Sequence, residues 1–257
     1  MSRLLRMPFL DQVPPGILSE HTARIVFLGE VHERPWLVEA YARLMGEECR
    51  RGRLGFLGVE YFNYEQQGIL DEWRASERSW YSLVAEYSNG PEGFSLEIYR
   101  PLLETARKCG ARIIGVMPPR DKARIVTMTG SIPDLPSRAP DPGEYPSEYE
   151  CLLRALFPRE GPMARIPVER LVLAQSYKDS IAAWRVADAY RRYGPGVVVM
   201  GWVHVEALGG VASRAARLLG LKPIDWLVAG ARETFYDAID ALRLAGCLET
   251  RYLLIRE

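Results

Sequence analysis

The chain of 257 residues is long enough to bury a full hydrophobic core, so we predict one domain spanning residues 1–257. Its 33 basic residues (Lys and Arg) balance its 33 acidic residues (Asp and Glu), so no overall charge favours nucleic acid or an anionic membrane. Its apolar runs are too short to span a bilayer, and Asp11 interrupts the only short apolar stretch near the start, which makes a poor secretory signal. We therefore expect a cytoplasmic protein without a membrane span or a nucleic-acid partner.

Five segments are continuous apolar runs rich in β-formers, which is typical of strands covered on both faces of a parallel sheet. In chain order these predicted strands are residues 23–30, 54–60, 111–117, 170–175 and 196–204. The predicted helices lie near residues 34–52, 64–75, 96–109, 178–193 and 207–219. Because strands and helices alternate, the sequence predicts an α/β fold with a mainly parallel central sheet flanked by helices.

The alternation stops between residues 131 and 167, where eight of the 18 prolines fall. We predict that this proline-rich segment is an insertion or lid with one helix near residues 147–157. It follows the strand that delivers Arg120, so we expect it to cover or flank the functional site. After it, the sequence predicts a further strand at 224–228, a helix at 232–245 and a closing strand at 252–255.

Two scarce histidines mark the ends of two predicted strands. The first strand ends in Gly29-Glu30-Val31-His32, and the fifth ends in the similar Gly201-Trp202-Val203-His204, in a chain with only three histidines. Ligands of open parallel sheets collect outside the carboxyl ends of the strands. The other side chains predicted at this edge are Glu60, Tyr61, Arg120, Gln175, Lys178 and Asp179.

Imidazoles and carboxylates at one edge suit either a divalent metal ion with open positions or an acid and base pair. The predicted metal ligands are Glu30, His32, Glu60 and His204, with catalytic roles for Glu30 and His204. The predicted cofactor-binding residues are Tyr61, Arg120, Gln175, Lys178 and Asp179. Taken singly, each residue also has an ordinary interpretation, as an acid near a helix N-terminus, a hydrogen-bonded histidine or a packing aromatic.

Several common motifs are absent from the sequence. It has neither a GxGxxG motif nor a P-loop, which disfavours nucleotide binding, and no GxSxG elbow, which disfavours a serine hydrolase of the usual α/β type. The four cysteines form no CxxC pair and no CxxCH motif, which disfavours structural zinc and covalently attached haem.

Five blocks, in order, carry a family resemblance: FLGEVHERPW, LGVEYFNYEQQGILDEW, YRPLLETARKCGARIIGVMPPR, LAQSYKDSIAAWRVADAY and VVVMGWVHVEALGGV. Over most of residues 23–220 the chain resembles the ChaN-like haem-binding uptake family of the Tiki superfamily. The resemblance implies an α/β fold with a pocket built from Glu30, His32, Glu60 and His204. In haem-binding members a tyrosine can ligate iron, and Tyr61 or Tyr64 is the candidate here by position.

The resemblance implies two alternative functions. The first is binding of haem or another iron compound in the Glu/His pocket. The second is metal-dependent hydrolysis, because the superfamily includes metal-dependent proteases and is related to erythromycin-esterase-like enzymes. The expected cofactor is therefore haem or a divalent metal ion, and the expected partner is a small molecule or a peptide, with a homodimer left open. Where the family often has Gly-Asn-Gly-His, this chain has Trp202 and Val203 before the histidine.

Overall fold

The computed structural model describes residues 23–88, 93–157, 160–206, 209–222 and 225–230. Within these ranges the strands are β1 (Ile25–Glu30), β2 (Phe56–Asn63), β3 (Arg112–Met117), β4 (Gly196–Gly201) and β5 (Trp226–Gly230). They form one parallel sheet in the order β3-β2-β4-β1-β5. The predicted α/β class with a parallel central sheet is confirmed. The helix and closing strand predicted at 232–245 and 252–255 lie outside the described residues.

Helices surround the sheet. They are α1 (Pro35–Arg50), α2 (Gln67–Arg74), α3 (Trp80–Ser88), α4 (Leu96–Lys108), α5 (Arg120–Thr129), α6 (Ser147–Leu156), α7 (Val168–Tyr193), α8 (Trp202–Glu206) and α9 (Val211–Leu219). A short 3-10 turn, Tyr64–Gln66, precedes α2. Helix α6 confirms the helix predicted inside the proline-rich segment. None of the helices in the described ranges combines the length and the apolar character needed to cross a membrane.

Alternating strand residues divide the core into two layers. Val26 and Leu28 of β1 pack in a cluster with residues of α1 to α4, whereas Ile25 and Phe27 pack with residues of α7 and α9. Successive side chains of a strand point to opposite faces, so each strand contributes to both layers. This double burial explains the continuous apolar runs of the strands, because neither face of the sheet is left to solvent.

Two strand predictions are wrong. Residues 170–175 do not form a strand but belong to α7, which begins at Val168 after Pro167 and runs for 26 residues. A short apolar run cannot by itself distinguish a buried helix from a buried strand, and the proline favours a helix start. The fifth strand ends at Gly201 instead of residue 204, because Trp202 begins α8. His204 therefore lies on a short helix directly after the strand.

A disulfide links the two helices that pack against the first strands. Cys49 of α1 and Cys109, directly after α4, are bonded across a sequence separation of 60 residues. Cys151 is disulfide-bonded as well. Disulfides are typical of oxidising compartments and, among intracellular proteins, of those from hyperthermophiles. The cytoplasmic location therefore stays a prediction.

We expect removal of the Cys49–Cys109 disulfide to destabilise the protein. A crosslink that closes a loop of about 60 residues restricts the unfolded chain by about 4 kcal/mol in the chain-entropy treatment. The double variant Cys49→Ser/Cys109→Ser should therefore show a lower free energy of unfolding in denaturant titrations under non-reducing conditions. A variant as stable as the parent chain would mean that the crosslink does not restrict the unfolded state.

Candidate functional site

Two strands, β1 and β2, deliver acidic residues at one edge of the sheet, on either side of β4. Glu30 ends β1 and pairs in register with Gly201, the last residue of β4. Glu60 lies on β2 one residue beyond the Val59–Val199 pair, so it is level with the end of β4 from the other side. Because β4 lies between β1 and β2, Gly201 separates the two carboxylates. The edge where the sequence predicts a site is therefore where the acidic residues meet.

His32 lies in the turn that follows β1 and is oriented by Glu30. Its Nδ1–H donates to Oε1 of Glu30 at 3.0 Å, and the hydroxyl of Tyr99 on α4 donates to the same oxygen at 3.1 Å. The turn is further held because the backbone N–H of Glu33 donates to the Tyr99 hydroxyl at 3.0 Å. Glu33 has a positive φ of 61°, a conformation that a non-glycine residue adopts only when its surroundings enforce it. Helix α4 thus fixes the position of the imidazole.

The second ring nitrogen of His32 is less constrained. Nε2 lies 3.9 Å from Oε1 of Glu60, beyond hydrogen-bond distance, and the side chain is 40% exposed. The ring of Phe94 packs edge-on against the imidazole with 5.0 Å between the ring centroids. His32 therefore presents a partly exposed imidazole in which Nδ1 is hydrogen-bonded to Glu30 and Nε2 makes no hydrogen bond within the described residues.

His204 has a different environment, since both of its ring nitrogens face carboxylates. Nδ1 contacts Asp179 of α7, and Nε2 lies 3.3 Å from Oε1 of Glu60. The side chain is only 6% exposed. The side-chain amide of Gln175 lies against the same ring, 3.0 Å from Nδ1. Asp179 in turn accepts a 2.6 Å hydrogen bond from the hydroxyl of Tyr149 on α6.

The charges of this cluster follow from burial and pairing. Burial alone would lower the pKa of His204, but the carboxylates of Glu60 and Asp179 outweigh it and raise that pKa to about 9. Burial would raise the pKa of Glu60, but His204, His32 and the backbone N–H of Gly201 hold it well below its usual range. At neutral pH the buried centre is therefore an imidazolium between two carboxylates. A doubly protonated ring has no lone pair for a metal ion.

The carboxyl group of Glu30 is in a more apolar environment. Burial raises its pKa, and the hydrogen bonds from His32 and Tyr99 only partly offset this. Its Oε2 atom is buried and finds no hydrogen-bond partner among the described residues. For His32, burial lowers the pKa, but Glu30 and Glu60 together raise it above the ordinary value.

Gly201 leaves the space that His32 occupies. A Cβ atom at this position would lie 3.0 Å from Nε2 of His32 and 3.3 Å from Oε2 of Glu60, tighter than ordinary contacts. The backbone N–H of Gly201 also donates to Oε2 of Glu60 at 2.5 Å. The glycine at the end of β4 is therefore what allows the two strand ends to bring their side chains together.

The predicted cofactor-binding residues on α7 differ in what they contact. Gln175 and Asp179 contact His204, although a helix and not a strand delivers them. Lys178 is largely buried, which lowers its pKa, and lies close enough to Glu60, Asp179 and the exposed Arg120 for their charges to act on it. Within the described ranges no hydrogen bond or ion pair engages the Lys178 amine.

Tyr61 and Tyr64, the tyrosines that the family resemblance proposes as iron ligands, are less accessible than His32. The Tyr61 ring is fully buried and stacks on Tyr99 with 4.0 Å between centroids, and in the described part of the chain its hydroxyl has no hydrogen-bond partner. The hydroxyl of Tyr64 accepts a 2.9 Å hydrogen bond from Lys122. In this conformation the Tyr61 hydroxyl is not at the surface that a large ligand would contact.

Two tyrosines of the site were missed by sequence reasoning. Tyr99 and Tyr149 occupy apolar positions of amphipathic helices, so their pattern is that of core residues. The only signal is chemical, since a buried tyrosine hydroxyl usually finds a hydrogen-bond partner.

In the described part of the chain, no group of three or more His, Cys, Asp and Glu side chains has an arrangement that could hold a metal ion.

The fold agrees with the comparisons. Residues 19–215 match the family model described as haem-binding uptake, Tiki superfamily, ChaN. The chain belongs to this ChaN-like family. A solved structure with the same fold, described as cofacial haem binding to ChaN of Campylobacter jejuni, is 16% identical in sequence, with a TM-score of 0.59 over 83% of each chain. The comparison with curated proteins gave no match.

The buried imidazolium predicts how stability depends on pH. The pKa of His204 is raised in the folded state to about 9 from about 6.5. Its stabilisation is therefore fully present below about pH 6.5 and is lost as the pH rises through about 9, by on the order of 3 kcal/mol. We expect the free energy of unfolding to fall across this range in the parent chain and to fall less in His204→Gln. Equal pH profiles for the two proteins would contradict the buried ion cluster.

Proposed function

We propose that this chain binds haem at the carboxyl edge of the sheet, with the imidazole of His32 as the iron ligand. The observation that carries the proposal is the contrast between the two described histidines. His204 has both nitrogens on carboxylates and is buried, whereas Nε2 of His32 is uncommitted on a partly exposed ring. A haem iron takes an axial imidazole, and the porphyrin adds apolar faces and two carboxylates.

The partners of His32 suit a metal-ligating histidine. In such sites the nitrogen that does not bind the metal usually donates to a carboxylate, which fixes the tautomer and makes the other nitrogen more basic. Here Nδ1–H donates to Glu30, so the lone pair falls on Nε2 when the ring is neutral. The space left by the missing side chain of Gly201 lies next to Nε2. Glu30 and Tyr99 would act by orienting the ligand.

The surroundings of His32 suit a porphyrin better than a bare ion. Phe94 packs against the imidazole and supplies an aromatic face beside it, and Trp36, four residues after His32 in the sequence, is 46% exposed. The exposed guanidinium of Arg120 and the amine of Lys178 supply positive charge for the propionate groups. Arg120 and Lys178 belong to the cofactor-binding set that the sequence suggests, whereas Phe94 and Trp36 do not. No observation favours the alternative of metal-dependent hydrolysis.

The key test is substitution of His32. We expect His32→Ala to reduce hemin affinity at least about 10-fold, because the iron loses its protein ligand. Affinity for metal-free protoporphyrin IX should stay close to that of the parent chain, because it depends only on the apolar rim and the propionate contacts. Titrations followed by the Soret band for hemin and by fluorescence for protoporphyrin measure both.

Two further variants sharpen this test. His21→Ala removes the remaining histidine and serves as the matched control, with hemin binding expected to be unchanged. Glu30→Gln keeps the shape but removes the charge that orients His32, so a loss of about 10-fold in hemin affinity is expected. If His32→Ala binds hemin as tightly as the parent chain, the assignment of the ligand fails.

A further inference from the structure

A line of polar contacts runs from the proline-rich segment to the proposed haem site. Tyr149 of α6 donates to Oδ2 of Asp179, and Oδ1 of Asp179 contacts His204. His204 reaches Glu60, whose Oε1 is the atom nearest to Nε2 of His32. All three links before His32 involve side chains that are buried or nearly so. In an apolar interior each of these contacts is strengthened by the low local dielectric, so the groups in the line influence one another.

The same segment is held to the body of the protein at a second place, through Arg214, whose guanidinium also lies 5.8 Å from the centre of the Tyr149 ring. The guanidinium of Arg214, 2% exposed, donates to the hydroxyls of Ser176 and Ser180 at 2.7 and 2.6 Å. Ser176 donates to the backbone carbonyl of Pro142 at 2.6 Å. These contacts fix the start of the segment without involving the site. Tyr149 is the residue of the segment whose hydroxyl donates to the buried group of Asp179, His204 and Glu60.

We infer that Tyr149 is a positioning residue that couples the proline-rich segment to the haem site. It holds Asp179, which holds His204, which places the Glu60 carboxylate beside Nε2 of His32. This inference rests on the proposed haem binding. By linkage, whatever orders the segment strengthens ligand binding, and a bound ligand orders the segment by the same factor.

The Tyr149 hydroxyl can be removed with little change in shape. Tyr149→Phe keeps the packing of α6 against Val172 and Trp202 and deletes only the donor to Asp179. The matched control is Tyr145→Phe in the same segment, whose ring lies 5.7 Å from that of Tyr149 and whose hydroxyl makes no hydrogen bond within the described residues. Both variants lose one hydroxyl, but only the first interrupts the line of contacts.

The first measurement is hemin affinity, followed by the Soret band. We expect Tyr149→Phe to weaken hemin binding by about 10-fold, as is typical when an outer partner of a ligand is lost, and Tyr145→Phe to leave it unchanged. The second measurement needs no ligand. Amide hydrogen exchange in α8, which carries His204, should become faster in Tyr149→Phe and not in Tyr145→Phe.

The outcomes separate this inference from the proposed function. If the parent chain binds hemin through His32 but both tyrosine variants bind equally well, the coupling is refuted while haem binding stands. If the parent chain does not bind hemin, haem binding fails, and exchange in α8 alone decides the coupling. Unchanged exchange in Tyr149→Phe would overturn it, as would equal acceleration in both variants, because that would indicate a general loosening of the segment.

Discussion

The structure of the site depends on one buried imidazolium held between two carboxylates. Moving three charged groups out of water is costly, so the arrangement persists only if each charge is paired and hydrogen-bonded. His204 meets this condition because Glu60 comes from β2 and Asp179 from α7. The pairing therefore joins the sheet to the long helix that covers it, and it fixes the level at which α7 crosses the strand ends. The remaining polar groups of the site are arranged around this centre.

The two histidines share a sequence pattern but not a chemical role. Sequence alone predicts their convergence, because parallel strands bring Gly-x-Val-His segments to one edge and the chain has so few histidines. It cannot predict which imidazole is committed, since that depends on partners from other elements. Asp179 lies 25 residues before His204, whereas Glu30 is only two residues from His32. The difference between a buried ion and an available ligand is therefore a tertiary property.

Much of the fold can be predicted from the sequence, and the predictions that are wrong have physical causes. The segments that form β1 to β4 are buried on both faces, and their continuous apolar runs predict them as strands. Residues 170–175 carry the same signal but lie in α7, which the sheet covers on one side and other helices on the other. Gln175 and Asp179 nevertheless reach the site, because a helix packed across strand ends can place side chains where a neighbouring strand would. Tyr99 and Tyr149 were not predicted as site residues, because their spacing along α4 and α6 is that of core residues and gives no sign that their hydroxyls make polar contacts.

The residues between Gly201 and His204 have a consequence for how such a site can diverge. Trp202 and Val203 pack against the apolar cluster of α6. The glycine before them lies against His32 and Glu60 and the histidine after them pairs with Glu60 and Asp179, whereas the contacts of these two are with the proline-rich segment. The proline-rich segment and this dipeptide can therefore change together among related proteins while the two histidines are retained. Diversification of ligand choice would then be expected in the covering segment before it reaches the strand ends.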